Sequence, residues 1–306
     1  MPPEQNEPGR RVREALAGQV ASILKTLIRF RYFSFEMEGT ENLPKRGPVI
    51  YTQNHAGWLA LDTVFVGFAV AEVLGPARIP YYAAHQAALT APVLGPFLRR
   101  LGALPAPSFT HPERLPPDIE CYGICPEGTR GNCKPFWQAY RMRDWSRSFV
   151  RLALALDAPI VPVAVIGGEE SLPVAWTVEV LKPLIGSVIG LPLAPVPLPA
   201  RWKVVFHEPI RVTPHGPRNR PDPQYCAEIA KRTQDIVQTT LDGETRFHPL
   251  AQFSSLVASV SDAMRREEPP DMVERDPLLP PDEDVQLRRT PTRRANGPGR
   301  RSSRSP

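Results

Sequence analysis

The segment VIYTQNHAGWLALD, residues 49–62, predicts both the fold of this chain and a candidate site within it. Val49 to Thr52 form a short apolar run, which is typical of a buried strand. Residues 59–73 are apolar on most sides, as in a helix that packs inside a domain. A buried strand that leads into a buried helix is characteristic of α/β domains.

The same alternation of strand and helix continues on both sides of this segment. Further strands are predicted at residues 33–38, 79–83, 120–125, 159–166 and 202–206, and helices at 93–101, 149–156 and 222–241. The run at 159–166 is apolar and rich in β-branched residues, as in a strand that is covered on both faces. We therefore predict an α/β fold, a single domain with a largely buried mixed sheet flanked by helices.

Two flanking segments differ from this domain. Apolar residues recur at helical spacing from Val12 to Leu27, which predicts an N-terminal amphipathic helix, packed either on its own domain or in a lipid interface. From about residue 267 the chain is rich in proline and charge and ends in an arginine-rich tail, which disfavours a packed core. The predicted organisation is this helix in 1–30, the main domain in 31–245, and a mostly disordered C-terminal extension in 246–306.

Composition narrows the class of protein. The 306 residues carry a formal net charge of +5, which favours anionic partners such as an anionic membrane surface. The sequence has no nucleic-acid recognition motif, so no nucleic acid partner is expected. It also has no run of about 18 apolar residues and no secretory signal. We therefore expect a cytoplasmic protein that is peripheral on the inner face of a membrane.

Several kinds of site are excluded by what the sequence lacks. The four cysteines are expected to be reduced thiols, and Cys121, Cys125 and Cys133 do not have a familiar zinc-binding spacing. The six histidines are scattered along the chain, so no metal is predicted. No Gly-x-Ser-x-Gly sequence occurs, which excludes a serine nucleophile of the α/β-hydrolase type.

His55 and Asp62 are the first candidates for catalysis. His55 follows the apolar strand at a turn, and Asp62 lies seven residues later. A carboxylate that orients an imidazole allows the imidazole to remove a proton from an alcohol. If the acyl donor is already a thioester, such a pair requires neither a covalent enzyme intermediate nor a cofactor.

A second candidate site is Pro126-Glu127-Gly128-Thr129-Arg130, which directly follows the predicted strand at 120–125. Gly128 allows the backbone to turn tightly. Arg130 offers a planar fork of hydrogen-bond donors that suits phosphate or carboxylate. Glu127 could either hold this arginine or contact a substrate hydroxyl.

In order along the chain, four blocks of sequence resemble the lysophospholipid acyltransferase superfamily, which contains the 1-acylglycerol-3-phosphate acyltransferases. The blocks are residues 54–62, 92–102, 126–130 and 160–164. The resemblance implies transfer of a fatty acyl group from acyl-CoA or acyl carrier protein to a hydroxyl of a glycerolipid or related lipid acceptor. It also implies the roles of the site residues: His55 as general base, Asp62 as the residue that orients it, and Glu127, Gly128, Thr129 and Arg130 as substrate-binding residues.

Two features depart from the family pattern. The family usually has four residues between the histidine and the aspartate, whereas this chain has six. A seven-residue step in a continuous helix rises about 10.5 Å, which is too far for a hydrogen bond. Ala56 and Gly57 are therefore predicted to form a loop, with the helix beginning nearer Trp58. Phosphate-binding members usually carry an arginine where this chain has Ser108, which leaves other lysolipids, diacylglycerol or a long-chain alcohol open as acceptors.

Two alternative functions remain open on sequence alone. A thioesterase would use the same dyad on water and release free fatty acid. A membrane-associated lipid-binding protein that has lost catalytic activity would account for the longer spacing and the missing arginine. Whether turnover exists, and whether it depends on His55, separates these alternatives from acyl transfer.

Overall fold

A computed structural model of the chain describes residues 7–116, 118–180, 186–213 and 221–265. These residues lie within one compact unit, Met1–Pro269. The arginine-rich tail and most of the predicted C-terminal extension lie outside the described residues. The division of the chain into three segments therefore remains a prediction.

The described helices follow the predicted pattern closely in the main domain. The α-helices are α1 (Glu7–Arg29), α2 (Leu61–Leu74), α3 (Gln86–Thr90), α4 (Leu94–Arg100), α5 (Ala106–Thr110), α6 (Thr129–Asn132), α7 (Ser148–Leu156), α8 (Gly168–Ser171), α9 (Pro223–Glu244) and α10 (Pro249–Arg265). Short 3-10 helices occur at Thr40–Asn42, Trp58–Ala60, Pro76–Arg78, Pro112–Arg114 and Phe136–Gln138.

The described strands form one large sheet and one hairpin. The strands are β1 (Phe33–Glu38), β2 (Val49–Gln53), β3 (Tyr81–Ala84), β4 (Leu104–Pro105), β5 (Cys121–Ile124), β6 (Ile160–Ile166), β7 (Val174–Val178), β8 (Ile189–Pro192) and β9 (Ala200–Phe206). The large sheet has seven strands in the order β1-β9-β6-β2-β5-β3-β4, and β7 pairs with β8 separately. Only β6 and β9 are antiparallel within the large sheet, so the predicted mixed sheet is confirmed.

Both faces of the sheet are covered, because every residue of the central strands β2 and β6 is buried. On one face Ile50 packs in a cluster with helices α7 and α9, which contribute Leu152 and Val237. On the other face Tyr51 packs in a cluster with α2, which contributes Phe65. Successive side chains of a strand point to opposite faces, so β2 supplies both cores. This arrangement confirms the predicted α/β fold class with a largely buried sheet.

Helix α1 is attached to the main domain through a buried arginine. The guanidinium of Arg13 donates hydrogen bonds to the carbonyls of Ile79, Pro80 and Leu101 at 2.8 to 3.1 Å. Leu24 of the same helix is buried against the sheet. Of the two sequence-based interpretations, packing on its own domain is therefore observed for one face of α1. No described helix is long and apolar enough to cross a membrane.

Several elements were not predicted from the sequence, namely the short helices α3, α5, α6 and α8, strand β4, the β7–β8 hairpin and helix α10. β4 has only two residues, and the β7–β8 hairpin lies in a proline-rich part of the chain that gives a weak strand pattern. Helix α10 lies at the start of the segment 246–306, which was predicted to be mostly disordered. The residues of that segment beyond 265 lie outside the described part of the chain.

Candidate active site

The candidate site forms at the edge of the sheet where two parallel strands end. β2 and β5 are parallel neighbours, with Thr52 opposite Ile124. The chain therefore leaves both strands at the same edge, which is where open α/β sheets usually bind ligands. His55 follows the first strand and Glu127 follows the second, so the two motifs adjoin although 72 residues separate them.

His55 and Asp62 form a buried, hydrogen-bonded pair. Nδ1 of His55 lies 2.8 Å from Oδ2 of Asp62. The side chain of Asp62 is fully buried, and that of His55 is 11% exposed. The contact that the unusual spacing put in question is therefore present. Whether this pair is catalytic stays a prediction at this point.

The loop between the two residues is built from left-handed backbone. Gly57, Leu59 and Ala60 have φ angles of 76°, 63° and 54°. Helix α2 begins directly after Ala60, so Asp62 lies in its first turn and contacts His55 from there. The predicted loop exists but extends beyond Gly57 to Ala60. Left-handed backbone at a non-glycine residue costs on the order of 1–3 kcal/mol and occurs often at functional sites.

Three donors converge on one oxygen of Asp62. Besides His55, Oδ2 accepts hydrogen bonds from the backbone N–H of Ala56 at 3.1 Å and from Nε2 of Gln53 at 3.3 Å. The side-chain oxygen of Gln53 in turn accepts from the hydroxyl of Tyr82 at 2.7 Å. These bonds fix the orientation of the carboxylate. Asp62 is therefore held in place as the acceptor for Nδ1 of the imidazole.

Burial and charge act on His55 in opposite directions. Burial lowers the pKa of His55 because it disfavours the imidazolium ion, but the nearby Asp62 carboxylate and Cys125 raise it and outweigh burial. The pKa of His55 is therefore raised well above the usual value for histidine. A raised pKa makes the neutral imidazole a stronger base. Because Asp62 engages Nδ1, Nε2 is the ring atom left to accept a proton.

Asn54, the residue before His55, ties the end of β2 to β6 through two hydrogen bonds. Nδ2 of Asn54 donates to the carbonyl of Val165 at 2.9 Å, and the N–H of Val165 donates to Oδ1 of Asn54 at 2.8 Å. The loop then packs backbone to backbone on the turn after β6. A Cβ atom on Gly57 would lie 2.1 Å from the carbonyl oxygen of Gly168. No side chain fits between these two segments, so the position of the loop is fixed on both sides.

Glu127 holds the backbone of His55 in place by hydrogen bonding. Its Oε1 accepts a hydrogen bond from the backbone N–H of His55 at 2.9 Å, and its Oε2 accepts one from the backbone N–H of Arg143 at 2.8 Å. The side chain of Glu127 has no exposed surface. The carboxylate thus ties the two motifs together, and as placed it presents no free oxygen to an acceptor. Its predicted part in substrate binding stays a prediction.

The remaining residues of the second motif form a turn and a short helix next to His55. Gly128 has a φ of 60° and is exposed, and it is followed by the short helix α6 with Thr129 and Arg130 half-buried. Gly131 packs so closely that a Cβ atom there would lie 2.7 Å from Cβ of Glu127 and 2.8 Å from Cβ of His55. The structure therefore brings the predicted substrate-binding segment against the dyad.

Two charged residues of the site were missed by the sequence analysis. Nζ of Lys134 lies 3.6 Å from Oε2 of Glu127 and 3.5 Å from Oε1 of Glu169, and all three side chains are buried. Burial raises the pKa of Glu169 to about 7, although Lys134 opposes this shift. No sequence pattern indicates this network, because Lys134 and Glu169 meet only after β6 has been inserted into the sheet.

Cys125 is the third residue that sequence reasoning missed. Its Sγ atom lies within 4.8 Å of both a His55 ring nitrogen and an Asp62 carboxylate oxygen, so the three atoms could in principle share a metal ion. Zinc would require these atoms to converge on a point about 2.0–2.3 Å from each. A ring nitrogen of His55 and Oδ2 of Asp62 instead point at each other, 2.8 Å apart. As placed, His55 and Asp62 are therefore hydrogen-bonded to each other rather than oriented towards a shared ion.

Comparisons with known proteins agree with this geometry. Residues 34–166 match the family model described as Acyltransferase. The chain is 32% identical to uncharacterized protein Rv0502 of Mycobacterium tuberculosis over 234 residues, which cover 72% of this chain and 65% of that protein. It is also 32% identical to uncharacterized protein ML2427 of Mycobacterium leprae over 235 residues, which cover 72% of this chain and 63% of that protein. The chain thus matches slightly less than two thirds of the length of these relatives.

A solved structure with the same fold is the 1-acyl-sn-glycerophosphate (LPA) acyltransferase PlsC from Thermotoga maritima. It has a TM-score of 0.50 and 15% sequence identity, and the match covers 76% of this chain and 81% of that chain. At this level of identity the likeness concerns the fold. Together with the family match, it confirms the resemblance that the sequence blocks indicated.

Proposed function

Because the chain belongs to the acyltransferase superfamily, whose family model its residues 34–166 match, we propose that it transfers a fatty acyl group from a thioester donor to a hydroxyl of a lipid acceptor. The observation that supports this most directly is the buried contact of 2.8 Å between Nδ1 of His55 and Oδ2 of Asp62. The donor is acyl-CoA or acyl carrier protein, and the acceptor is a glycerolipid or a related lipid alcohol.

The proposed chemistry begins with proton removal. Nε2 of His55 takes the proton of the acceptor hydroxyl, and Asp62 stabilises the imidazolium that forms. The hydroxyl oxygen attacks the thioester carbonyl, and the bond between that carbon and the donor sulfur breaks. The departing sulfur takes the proton from His55. The products are the acyl ester and the free thiol of the donor, so no cofactor is consumed.

Glu127, Gly128, Thr129 and Arg130 are proposed to bind the substrate next to the dyad. Arg130 is the member of this segment best suited to an anionic headgroup, because its guanidinium binds phosphate in a planar, two-pronged geometry. The other residues shape the turn that leads into Arg130, and Gly131, which follows it, packs against His55. The identity of the acceptor depends on Arg130 more than on Glu127, whose carboxylate is already used by two backbone N–H groups.

The test is an acyl-transfer assay with one labelled acyl-CoA and a panel of acceptors. The panel contains lysophosphatidate, other lysolipids, diacylglycerol and a long-chain alcohol. His55→Ala should lower transfer by a factor on the order of 10² or more, which is the usual contribution of a general base. His111→Ala is a matched control, since this histidine is half exposed and contacts Glu113 rather than the dyad. Equal rates for wild type and His55→Ala would refute the mechanism.

The same assay separates the two alternative functions. A thioesterase would release free fatty acid from acyl-CoA at full rate when no acceptor is present. A lipid-binding protein without activity would show no turnover with any donor or acceptor and would still bind liposomes. Acyl transfer requires that product formation depends on both the acceptor and His55.

We also infer that the protein docks on an anionic membrane surface. Val12 and Ile23 of helix α1 are 53% and 61% exposed, although the other face of this helix packs on the domain. Exposed apolar residues beside basic ones favour a lipid interface with anionic headgroups. A location on the cytoplasmic face of the membrane is part of the same proposal.

The docking proposal is tested by sedimentation with vesicles of phosphatidylglycerol and phosphatidylcholine. The double variant Val12→Asp/Ile23→Asp should pellet less than wild type, and added salt should weaken binding further because the headgroup attraction is screened. Leu256→Asp is the control, since this residue is 62% exposed but lies on helix α10. If the double variant pellets as well as wild type, docking through α1 is wrong.

A further inference from the structure

An uncharged segment with exposed apolar side chains begins at the end of β8. Residues 186–200 contain no charged residue, and four of the eight residues in 192–199 are prolines. Leu193 and Val196 of this 192–199 segment are 57% and 59% exposed, and Leu198 is 39% exposed. Exposed apolar side chains that lie together mark a site of contact with a protein, a ligand or a membrane.

The backbone of the 192–199 segment exposes few hydrogen-bond donors. A proline has no N–H, so only the four other residues carry one. Of these, the N–H of Leu193 donates to the carbonyl of Pro173 at 2.8 Å, and the N–H of Leu198 donates to the carbonyl of Ser171 at 2.6 Å. An N–H group that leaves water without a partner costs free energy, which excludes most irregular loops from lipid. The segment avoids most of this cost, so its backbone suits contact with a lipid surface.

The residues beside the segment have the chemistry of a membrane interface. Phe30, which directly follows helix α1, is 76% exposed and stands between the exposed residues Arg29 and Arg31. The hydroxyl of Tyr32 donates a hydrogen bond to the carbonyl of Pro197 at 2.6 Å, so this end of α1 adjoins the segment. Basic and aromatic side chains are favoured at the level of anionic headgroups, beside apolar side chains that reach deeper. The charges next to the segment therefore complement an anionic surface.

Hydrogen bonds also connect the segment to the loop that carries the dyad. Ser171, which accepts the hydrogen bond from Leu198, is followed by Leu172, whose carbonyl accepts one from the N–H of Trp58 at 3.0 Å. The next residue, Leu59, is 45% exposed and belongs to the left-handed part of the dyad loop. A contact made by the segment is therefore passed to the dyad loop through only two residues.

We propose that the 192–199 segment is a second membrane-docking site, which inserts Leu193 and Val196 between the headgroups of an anionic bilayer. This inference rests on the proposed docking through α1 and adds a second contact to it. A protein that is held by one helix can still rotate about the axis of that helix, whereas a second contact fixes its orientation. The dyad loop is thereby held next to the membrane, where acceptors with long chains reside.

The experiment measures binding of the full chain to vesicles of phosphatidylglycerol and phosphatidylcholine, by sedimentation at low and at high salt. Leu193→Ser/Val196→Ser should lower the partition coefficient by a factor on the order of 10 or more, because two aliphatic side chains no longer leave water. The factor should be the same at both salt concentrations, since no charge is changed. Phe247→Ser/Leu256→Ser is the control, because these residues are 82% and 62% exposed but lie outside the segment. The control should pellet like wild type.

Turnover provides the second readout. Transfer to a long-chain lysolipid in vesicles should fall in Leu193→Ser/Val196→Ser by about the same factor as binding. Transfer to a short-chain acceptor dissolved in water should keep the wild-type rate, because neither residue belongs to the dyad or to the substrate-binding motif. If turnover of the soluble acceptor falls as far as turnover in vesicles, the substitutions act through the fold, and the docking proposal is overturned.

The outcomes separate this proposal from the others. If the segment variant pellets as well as wild type, the second contact is wrong, while docking through α1 and acyl transfer stand. If wild type does not pellet at all, both docking contacts are wrong. If wild type is a dimer in size-exclusion chromatography and the segment variant is a monomer, the surface covers a second copy of the chain, and the membrane contact is again wrong. If wild type transfers acyl groups to no acceptor, the proposed reaction fails, and sedimentation alone decides the docking.

Discussion

The buried carboxyl of Glu169 leads to a quantitative prediction about stability and pH. Glu169 is 4% exposed, and within the described residues its Oε2 has no hydrogen-bond partner. Burial raises its pKa to about 7 from an ordinary value of 4.5, while Lys134 opposes the shift. The folded protein therefore holds this proton more tightly than the unfolded chain does. The resulting stability is complete below pH 4.5 and is lost as the pH rises through 7.

The size of this loss follows from the shift. The pKa values of about 7 and 4.5 differ by 7 − 4.5 = 2.5 units. At about 1.36 kcal/mol per unit, the total loss is about 3 kcal/mol. Glu169→Gln has no proton to titrate at this position, so its free energy of unfolding lacks this loss. Between about pH 5 and about pH 8, wild type should lose about 2–3 kcal/mol more than the variant.

The measurement is urea denaturation of both proteins at the two pH values. Comparing the two differences removes the contribution of every other ionisable group that the two proteins share. Glu228→Gln is the control, since this carboxyl is exposed on helix α9 and should leave the wild-type pH dependence in place. If Glu169→Gln loses as much stability as wild type between the two pH values, the reasoning about the buried carboxyl is refuted.

Three further predictions concern the dyad and its support. Asp62→Asn removes the charge that raises the pKa of His55. The acid limb of the pH profile of kcat/KM should therefore move to lower pH, and kcat should fall by about 10²–10⁴-fold. An acid limb that does not move would exclude His55 as the base. Gly131→Ala would place a Cβ 2.8 Å from Cβ of His55, and it should lower the free energy of unfolding by about 1–3 kcal/mol and reduce turnover; wild-type values for both would contradict this. Phe65 is stacked on Trp202 with ring centroids 3.9 Å apart. Phe65→Ala should lower the free energy of unfolding by about 3–5 kcal/mol, as measured by urea denaturation.

Much of the fold could be predicted because the relevant signal is local. The runs at 33–38 and 159–166 became β1 and β6 within one residue. An alternating run indicates a strand with one buried face, and an apolar run indicates a strand that is buried on both faces. The β7–β8 hairpin was missed because its apolar and polar residues do not alternate regularly and prolines interrupt it. The sheet order was also not predictable, because no local pattern states that β9 lies between β1 and β6.

The candidate site also combines features that the sequence determined with features that only the tertiary structure decided. The sequence by itself determined which residue types stand at the ends of β2 and β5, because the motifs with His55 and Glu127 directly follow apolar strand-forming runs. Only the tertiary structure decided that His55 and Asp62 touch, since their contact depends on left-handed backbone at Leu59 and Ala60.

The supporting residues depend still more on tertiary structure. Lys134 contacts Glu127 and Glu169, and Cys125 lies beside His55, only because the sheet places β2 between β5 and β6. Periodicity in a sequence indicates whether a side chain points to the core or to solvent, since that depends on neighbours a few positions away. It does not indicate which distant residue that side chain contacts, because this depends on the order in which strands pair across the whole sheet.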